Sequence, residues 1–362
     1  MAITPPEASV VESLIDQHWL NQTDSHRPHL GGSQIGKECE RALWYSFRWA
    51  FNSSFPGRIR RLFRRGHHEE NWFVDDLKSI GVQVLERDPV TGKQFLYSDV
   101  GGHVGGSADG LGMNVPKMED TPHILEFKTH AEKSFLDMKK KGVALSKPVH
   151  YAQIQLYMHW QNFKVGLYVS VNKNNDELYS ERVHYDSNYS EGLIDKARRV
   201  VTSPSPLARM SNDPSFFECK WCDYWETCHN RKATLANCRT CISSTPELDG
   251  DQRWSCDHHK IDIDHNQQEQ GCPDHRYIPD LLPFAEVIGG DMETRTVDYK
   301  VIATDAKFSN SGKGENIYTS KELAVIDPNM IADPGIEAMR ETFDGTIVTV
   351  SSNDFADEDF PF

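Results

Sequence analysis

Little in this 362-residue sequence suits a secreted or membrane protein. Residues 1–20 lack the basic block and apolar centre of a signal peptide, and no apolar run approaches the length that spans a bilayer. Positive charge is also short. Lys and Arg total 39 against 54 Asp and Glu, a net charge of −15, which argues against a simple cationic nucleic-acid binder but leaves room for local basic patches. Internal repeats are absent. Cysteine is scarce outside one region: Cys39 stands alone, and the other seven of the eight fall between Cys219 and Cys272. In a cytoplasmic chain, which these absences lead us to expect, disulfides are rare and such clustering points to metal.

What is present reads as one large domain with additions. Val11, Leu14, Ile15 and Trp19 predict an amphipathic helix over residues 7–20. Ser33 is a candidate N-cap for a helix carrying Cys39, Arg41, Trp44 and Tyr45. Arg58, Arg60, Arg61, Arg64 and Arg65 fall within eight residues and suit a phosphate backbone. A helix follows, with Phe73, Leu77 and Ile80 on its apolar face and Glu70 on its inward side. Strands are predicted at Val82–Leu85, Gln94–Tyr97, His103–Asp109 and Ile124–Thr129. A second basic patch over residues 132–147 contains Lys133, Lys139, Lys140, Lys141 and Lys147. A helix over 149–160 places Gln153 and Tyr157 one turn apart. Val165, Leu167, Val169 and Val171 predict a half-buried strand, and a helix spans 189–201. This order implies an α/β fold, a mixed sheet flanked by helices. Beyond Pro283 a strand at 297–303 and a helix near 320–326 are expected.

The chemistry centres on Gly106-Ser107-Ala108-Asp109-Gly110 and His123-Ile124-Leu125-Glu126-Phe127-Lys128-Thr129. Period-two alternation puts Leu125 and Phe127 on one strand face, and Glu126 and Lys128 on the other. With Asp109 from the preceding strand, two carboxylates can hold a hard divalent cation, and a neighbouring lysine can orient water or stabilise charge on a phosphate. Taken alone, the Glu-x-Lys pair reads equally as a surface salt bridge.

Four motifs in order resemble the PD-(D/E)xK nucleases of the RecB-like group, which include CRISPR-associated spacer-processing nucleases and phage exonucleases. They are Gly66-x-x-x-Glu70, Asp109, Glu126-Phe127-Lys128 and Gln153-x-x-x-Tyr157, within roughly residues 30–230. The resemblance implies a restriction-endonuclease-like core that hydrolyses phosphodiester bonds. Asp109 and Glu126 would bind Mg²⁺ or Mn²⁺, with Glu70 contributing and Lys128 beside the attacking water. Gln153 and Tyr157 would support the site or contact DNA. RecB-like members usually carry histidine at the Glu70 position, whereas phage lambda-type exonucleases resemble this chain. Glu70 is the favoured third ligand and His67 the second choice.

Cluster-containing RecB-like nucleases take one cysteine from before the core and three after it, spaced C-x2-C-x5-C. By that resemblance Cys39, Cys219, Cys222 and Cys228 would hold a [4Fe–4S] cluster, with zinc at the same thiols as the alternative. The remaining Cys238, Cys241, Cys256 and Cys272 fit a structural zinc site, in which His258, His259 or His275 could replace one ligand. Trp254 is expected to pack on that module.

The sequence ends Asp354-Phe-Ala-Asp357-Glu358-Asp359-Phe360-Pro361-Phe362. It resembles the C-terminal tip of bacterial single-stranded-DNA-binding proteins, and would offer a terminal ring and carboxylate to host repair proteins or to a phage recombinase. The expected organisation is a nuclease domain over 1–235, a zinc module over 236–283, an accessory segment over 284–350 and an acidic, disordered tail over 351–362. The expected function is a metal-dependent DNA exonuclease in phage recombination, replication or repair. The alternative is a non-catalytic scaffold that binds host repair proteins through its tail.

Overall fold

A computed structural model describes residues 10–22, 25–52, 55–312 and 314–348. Tail residues Asp357, Glu358, Asp359, Phe360, Pro361 and Phe362 lie outside the described residues. The chain forms two compact units, one from Met1–Glu38 with Asn52–Arg199 and the other from Cys39–Phe51 with Val200–Phe362.

The first unit opens with α1 (Val11–Leu20), β1 (Leu30–Gly31) and α2 (Gly32–Ile35), whereas α3 (Glu40–Phe47) belongs to the second. It continues through α4 (Gly57–Ser79), β2 (Gln83–Leu85), β3 (Leu96–Asp99), β4 (Val104–Ser107), β5 (Gly110–Met113) and β6 (His123–His130). Then come α5 (Glu132–Ser146), α6 (Pro148–Gln161), β7 (Val165–Asn172), β8 (Leu178–His184) and α7 (Ser187–Thr202), whose last residues enter the second unit. Five strands form a mixed sheet in the order β2-β5-β6-β7-β8, with β6 and β7 parallel and the other pairs antiparallel. A separate small sheet has the order β1-β4-β3.

Helices cover both faces of the five-stranded sheet. Phe73, Val74 and Leu77 of α4 pack with Leu125, Phe127, Leu167 and Val169. Phe135 and Met138 of α5 and Ile154, Tyr157 and Met158 of α6 pack with Ile124 and Tyr168. The expected alternation in β6 is therefore present. The half-buried reading of β7 is corrected, because all its residues are buried. A central strand covered on both faces has no solvent side.

Two other expectations change. Ser33 lies inside α2, and Cys39 rather than Ser33 occupies the N-cap of α3. α1 buries none of its residues, leaving Val11 and Leu14 exposed. It meets α4 through Asp16 and Trp19 instead. Arg61 pairs with Asp16 and the Arg64 guanidinium lies 4.9 Å from the Trp19 ring centre. A side chain at Gly57 would come within 2.9 Å of the Asp16 Cα, so this close approach requires glycine.

The second unit continues with α8 (Phe217–Lys220), α9 (Trp225–Cys228), β9 (Ser244–Pro246), β10 (Trp254–Cys256), β11 (Ile261–Asp262) and α10 (His265–Gln270). β9, β10 and β11 form an antiparallel sheet. Trp254 is fully buried beside Phe47 and under the guanidinium groups of Arg48 and Arg239, as its packing role requires. The following β12 (Ala285–Asp291), β13 (Thr296–Val301), β14 (Lys307–Asn310) and β15 (Ile317–Tyr318) form a second sheet, followed by α11 (Ser320–Leu323) and α12 (Pro334–Phe343). Its core holds Tyr277, Tyr299, Phe308 and Tyr318, with the buried Asn310 side chain bonded to the Tyr277 N–H and the Tyr318 carbonyl. Among the described residues, no helix is long and apolar enough to cross a membrane.

Candidate metal-dependent active site

The antiparallel pairing of β5 with β6 sets Gly110 opposite Leu125, which brings Asp109 beside the middle of β6. The Phe127 N–H donates to Asp109 Oδ2 at 2.8 Å, fixing that carboxylate. Glu126 is 0% exposed, which excludes a surface ion pair. Its Oε1 meets the Lys128 ammonium, and Lys128 Nζ lies 3.9 Å from Asp109 Oδ2. Lys128 also donates to the Phe127 carbonyl at 3.1 Å. Glu126 Oε2 is buried without a hydrogen-bond partner.

A buried carboxylate oxygen with no donor is costly. Burial pushes the Glu126 carboxyl up to about 8; Asp109 and Glu70 add to that, while Lys128 opposes it. Burial works against the Lys128 ammonium, but Glu126, Asp109 and Glu70 together raise it above its ordinary value. Lys128 is thereby held as a charged ammonium able to donate hydrogen bonds.

Glu70 projects from α4, where His67 Nδ1 lies 3.5 Å from Glu70 Oε1. Burial raises the Glu70 carboxyl and the Asp109 charge raises it further, outweighing His67 and Lys128. Its neighbour Glu69 is more deeply buried and bonds Arg65 at 3.1 Å. The unsatisfied Glu126 oxygen, with the charges of Asp109 and Glu70 near enough to raise its carboxyl, suits a divalent cation, although the three carboxylates do not all lie within 4.8 Å of one another.

Gln153 and Tyr157 sit on α6 and are buried. Gln153 Nε2 donates to Tyr157 Oη at 3.4 Å. A methyl at Gly106 would meet Tyr157 Oη at 2.7 Å, so the missing side chain lets this phenol lie against β4. Burial, then Glu126 and Asp109, raises the Tyr157 phenol.

Beside Lys128 lies a row of groups of which the sequence reading singled out Lys147 but missed His130, Ser134 and His150. A cavity of about 560 Å³ is lined by Gly66, His67, Glu70 and Lys128, and also by His130, Ser134, Lys147 and His150. The Tyr168 hydroxyl joins His130 Nε2 at 2.8 Å to His150 Nδ1 at 2.9 Å. Burial and the nearby Lys147 and Lys128 ammoniums depress His130 to about 4; burial, Lys128 and His130 bring His150 to about 3. His130 was signalled by continuing the period-two face from Glu126 through Lys128. His150 had no comparable signal.

The basic residues are placed unevenly. Arg60 is buried, Arg61 and Arg65 are ion-paired, Arg64 lies over Trp19, and Arg58 is exposed. Lys139 pairs with Glu177, Lys141 pairs with Asp137 at 2.8 Å, and Lys140 is exposed.

Both cysteine sets lie in the second unit. Cys39, Cys219, Cys222 and Cys228 line one hollow, with Arg41, Tyr45 and Tyr224. Burial raises the Cys219 and Cys222 thiols, and the neighbouring cysteines add to it. Burial pushes Cys238 up to about 12, with Cys272, Cys241 and Cys256 contributing. The His259 backbone N–H donates to Cys256 Sγ at 3.5 Å. His275 is buried, with Nε2 3.1 Å from Thr240 Oγ1.

No protein-family model and no curated protein matches the chain. Among solved structures, an alkaline exonuclease from Laribacter hongkongensis is similar at 14% identity and a TM-score of 0.35, over 52% of this chain and 90% of its own. The same enzyme in complex with dAMP is similar at 16% identity and a TM-score of 0.36, over 51% of this chain and 90% of its own. A phage-related exonuclease from Haemophilus somnus follows at 11% identity and a TM-score of 0.28, over 44% of this chain and 78% of its own. Likeness this distant decides neither fold nor activity, which rest on the side chains of the site.

Proposed function

We propose that this protein is a metal-dependent DNA nuclease of the PD-(D/E)xK type, acting as an exonuclease in phage recombination, replication or repair. The observation that carries this reading is the buried Glu126 carboxylate, one oxygen on Lys128 and the other without a donor, beside Asp109 and Glu70. Asp109 and Glu126 hold Mg²⁺ or Mn²⁺, and Glu70 contributes a further carboxylate held by His67. When bound, the cation neutralises charge on the phosphate and makes water a stronger nucleophile. Lys128, kept charged by its carboxylate neighbours, donates to the water or phosphate oxygen at the reacting centre. Tyr157 and Gln153 support the wall of the site, and the cavity leading to His130 and His150 admits the phosphate backbone. Arg58 on α4 and Lys140 on α5 are exposed basic residues for a DNA strand to meet, with Arg64 and Arg65 further along α4.

In the second unit, Cys39, Cys219, Cys222 and Cys228 hold a [4Fe–4S] cluster; four thiols lining one hollow support this assignment. Cys238, Cys241, Cys256 and Cys272 hold zinc. A scaffold role alone has no use for the buried Glu126 and its charged neighbours. The reading is tested by incubating protein purified without oxygen with end-labelled single- and double-stranded DNA. Degradation with Mg²⁺ or Mn²⁺ that stops on chelation is expected; intact DNA under all conditions refutes it.

A further inference from the structure

The turn joining β10 to β11 carries His258 and His259, and the loop after α10 carries Asp274. Among the described residues, these three form the set of histidine, cysteine or carboxylate side chains whose ligand atoms all lie within 4.8 Å of one another. Both imidazoles converge on one oxygen: His258 Nε2 is 3.6 Å and His259 Nε2 is 3.5 Å from Asp274 Oδ2. The two rings stand 4.4 Å apart between centroids. Cys272 Sγ, two residues before Asp274, lies 3.7 Å from His259 Nε2.

Each imidazole offers one ring nitrogen, and the carboxylate one oxygen, as a metal ligand. Donors bonded to a tetrahedral zinc at about 2.0–2.3 Å stand about 3.3–3.7 Å from one another, which is the spacing of both imidazole nitrogens from Asp274 Oδ2. Two imidazole donors select a zinc-class ion over the hard, oxygen-seeking Mg²⁺.

We propose that His258, His259 and Asp274 form a second zinc-class site, with Cys272 beside it at His259. The ion ties the β10–β11 turn to the loop after α10. This histidine–aspartate set does not rest on the four-cysteine zinc proposed above.

The test is zinc content per chain by elemental analysis, on full-length protein passed through chelating resin. Wild type is compared with the His258→Ala/His259→Ala and Cys238→Ser/Cys241→Ser double variants. Two zinc ions in wild type and one in each variant is the expected result. One zinc in wild type, lost from the histidine variant and kept in the cysteine variant, would uphold this site and remove the four-cysteine one. Equal zinc in the histidine variant and wild type overturns the proposal. Asp274→Asn, which preserves shape, guards against misfolding: competition with a chromophoric chelator should show one zinc class weakened at least about tenfold, and unchanged affinity contradicts the site.

Discussion

The Phe127 N–H donates to Asp109 Oδ2 at 2.8 Å, so the carboxylate is held by the backbone of the strand that also carries Glu126 and Lys128. Asp109 is thereby both a structural link and a charged member of the site. Asp109→Asn keeps an acceptor for that N–H and removes the charge; stability should fall by less than about 1 kcal/mol while activity falls at least about a hundredfold. Asp109→Ala should lose as much activity and about 1 kcal/mol or more of stability. Denaturant melts paired with DNA degradation rates separate the two roles, and equal activity in Asp109→Asn and wild type would remove Asp109 from the chemistry.

Protons and metal should compete at Glu126, whose carboxyl burial pushes up to about 8. Mg²⁺ affinity measured by calorimetry should rise about tenfold per pH unit from 6 towards 8 and level off above. The same shift acts on folding without metal. Because the folded value exceeds the unfolded one, its stabilising contribution is complete below roughly pH 4 and is lost as pH rises through about 8. Glu126→Gln should flatten both profiles. Mg²⁺ affinity independent of pH in the wild type would contradict this assignment.

Gly106 leaves the space that Tyr157 occupies, since a methyl there would sit 2.7 Å from Tyr157 Oη. Gly106→Ala should cost about 1–3 kcal/mol by forcing the phenol aside. Gly106→Ala combined with Tyr157→Phe should recover part of that loss in the same melts. No recovery would mean that the strain lies elsewhere.

Cys39 and the Cys219, Cys222 and Cys228 set share one hollow. Protein purified without oxygen should absorb near ~400 nm and contain about four irons per chain. Cys39→Ser should lower both, whereas Cys256→Ser should change zinc and leave iron intact. Iron content unaffected by Cys39→Ser would exclude it as a ligand.

Much of the site was legible because strand periodicity is local. Leu125 and Phe127 against Glu126 and Lys128 fixed which side chains face together, and the turn at Asp109-Gly110 lies one antiparallel pairing away. What could not be read was what covers each face. β7 looked half-buried because its alternate residues meet different helices, α4 on one face and α5 and α6 on the other. The arginines of α4 fall over roughly a 160° arc at 100° per residue, so Arg60 turns inward while Arg61 and Arg65 meet acidic partners. The joining of His130 to His150 through Tyr168 depends on three separate elements, and no spacing announces it.

The central claim is that Lys128 and Glu126 serve phosphodiester hydrolysis. Its most direct test is the rate of Mg²⁺-dependent degradation of end-labelled DNA by wild type, Lys128→Ala and Glu126→Gln, with folding checked by melts. The account predicts metal-dependent degradation by wild type and at least about a hundredfold loss in each variant at retained fold. Degradation unchanged in Lys128→Ala would contradict it.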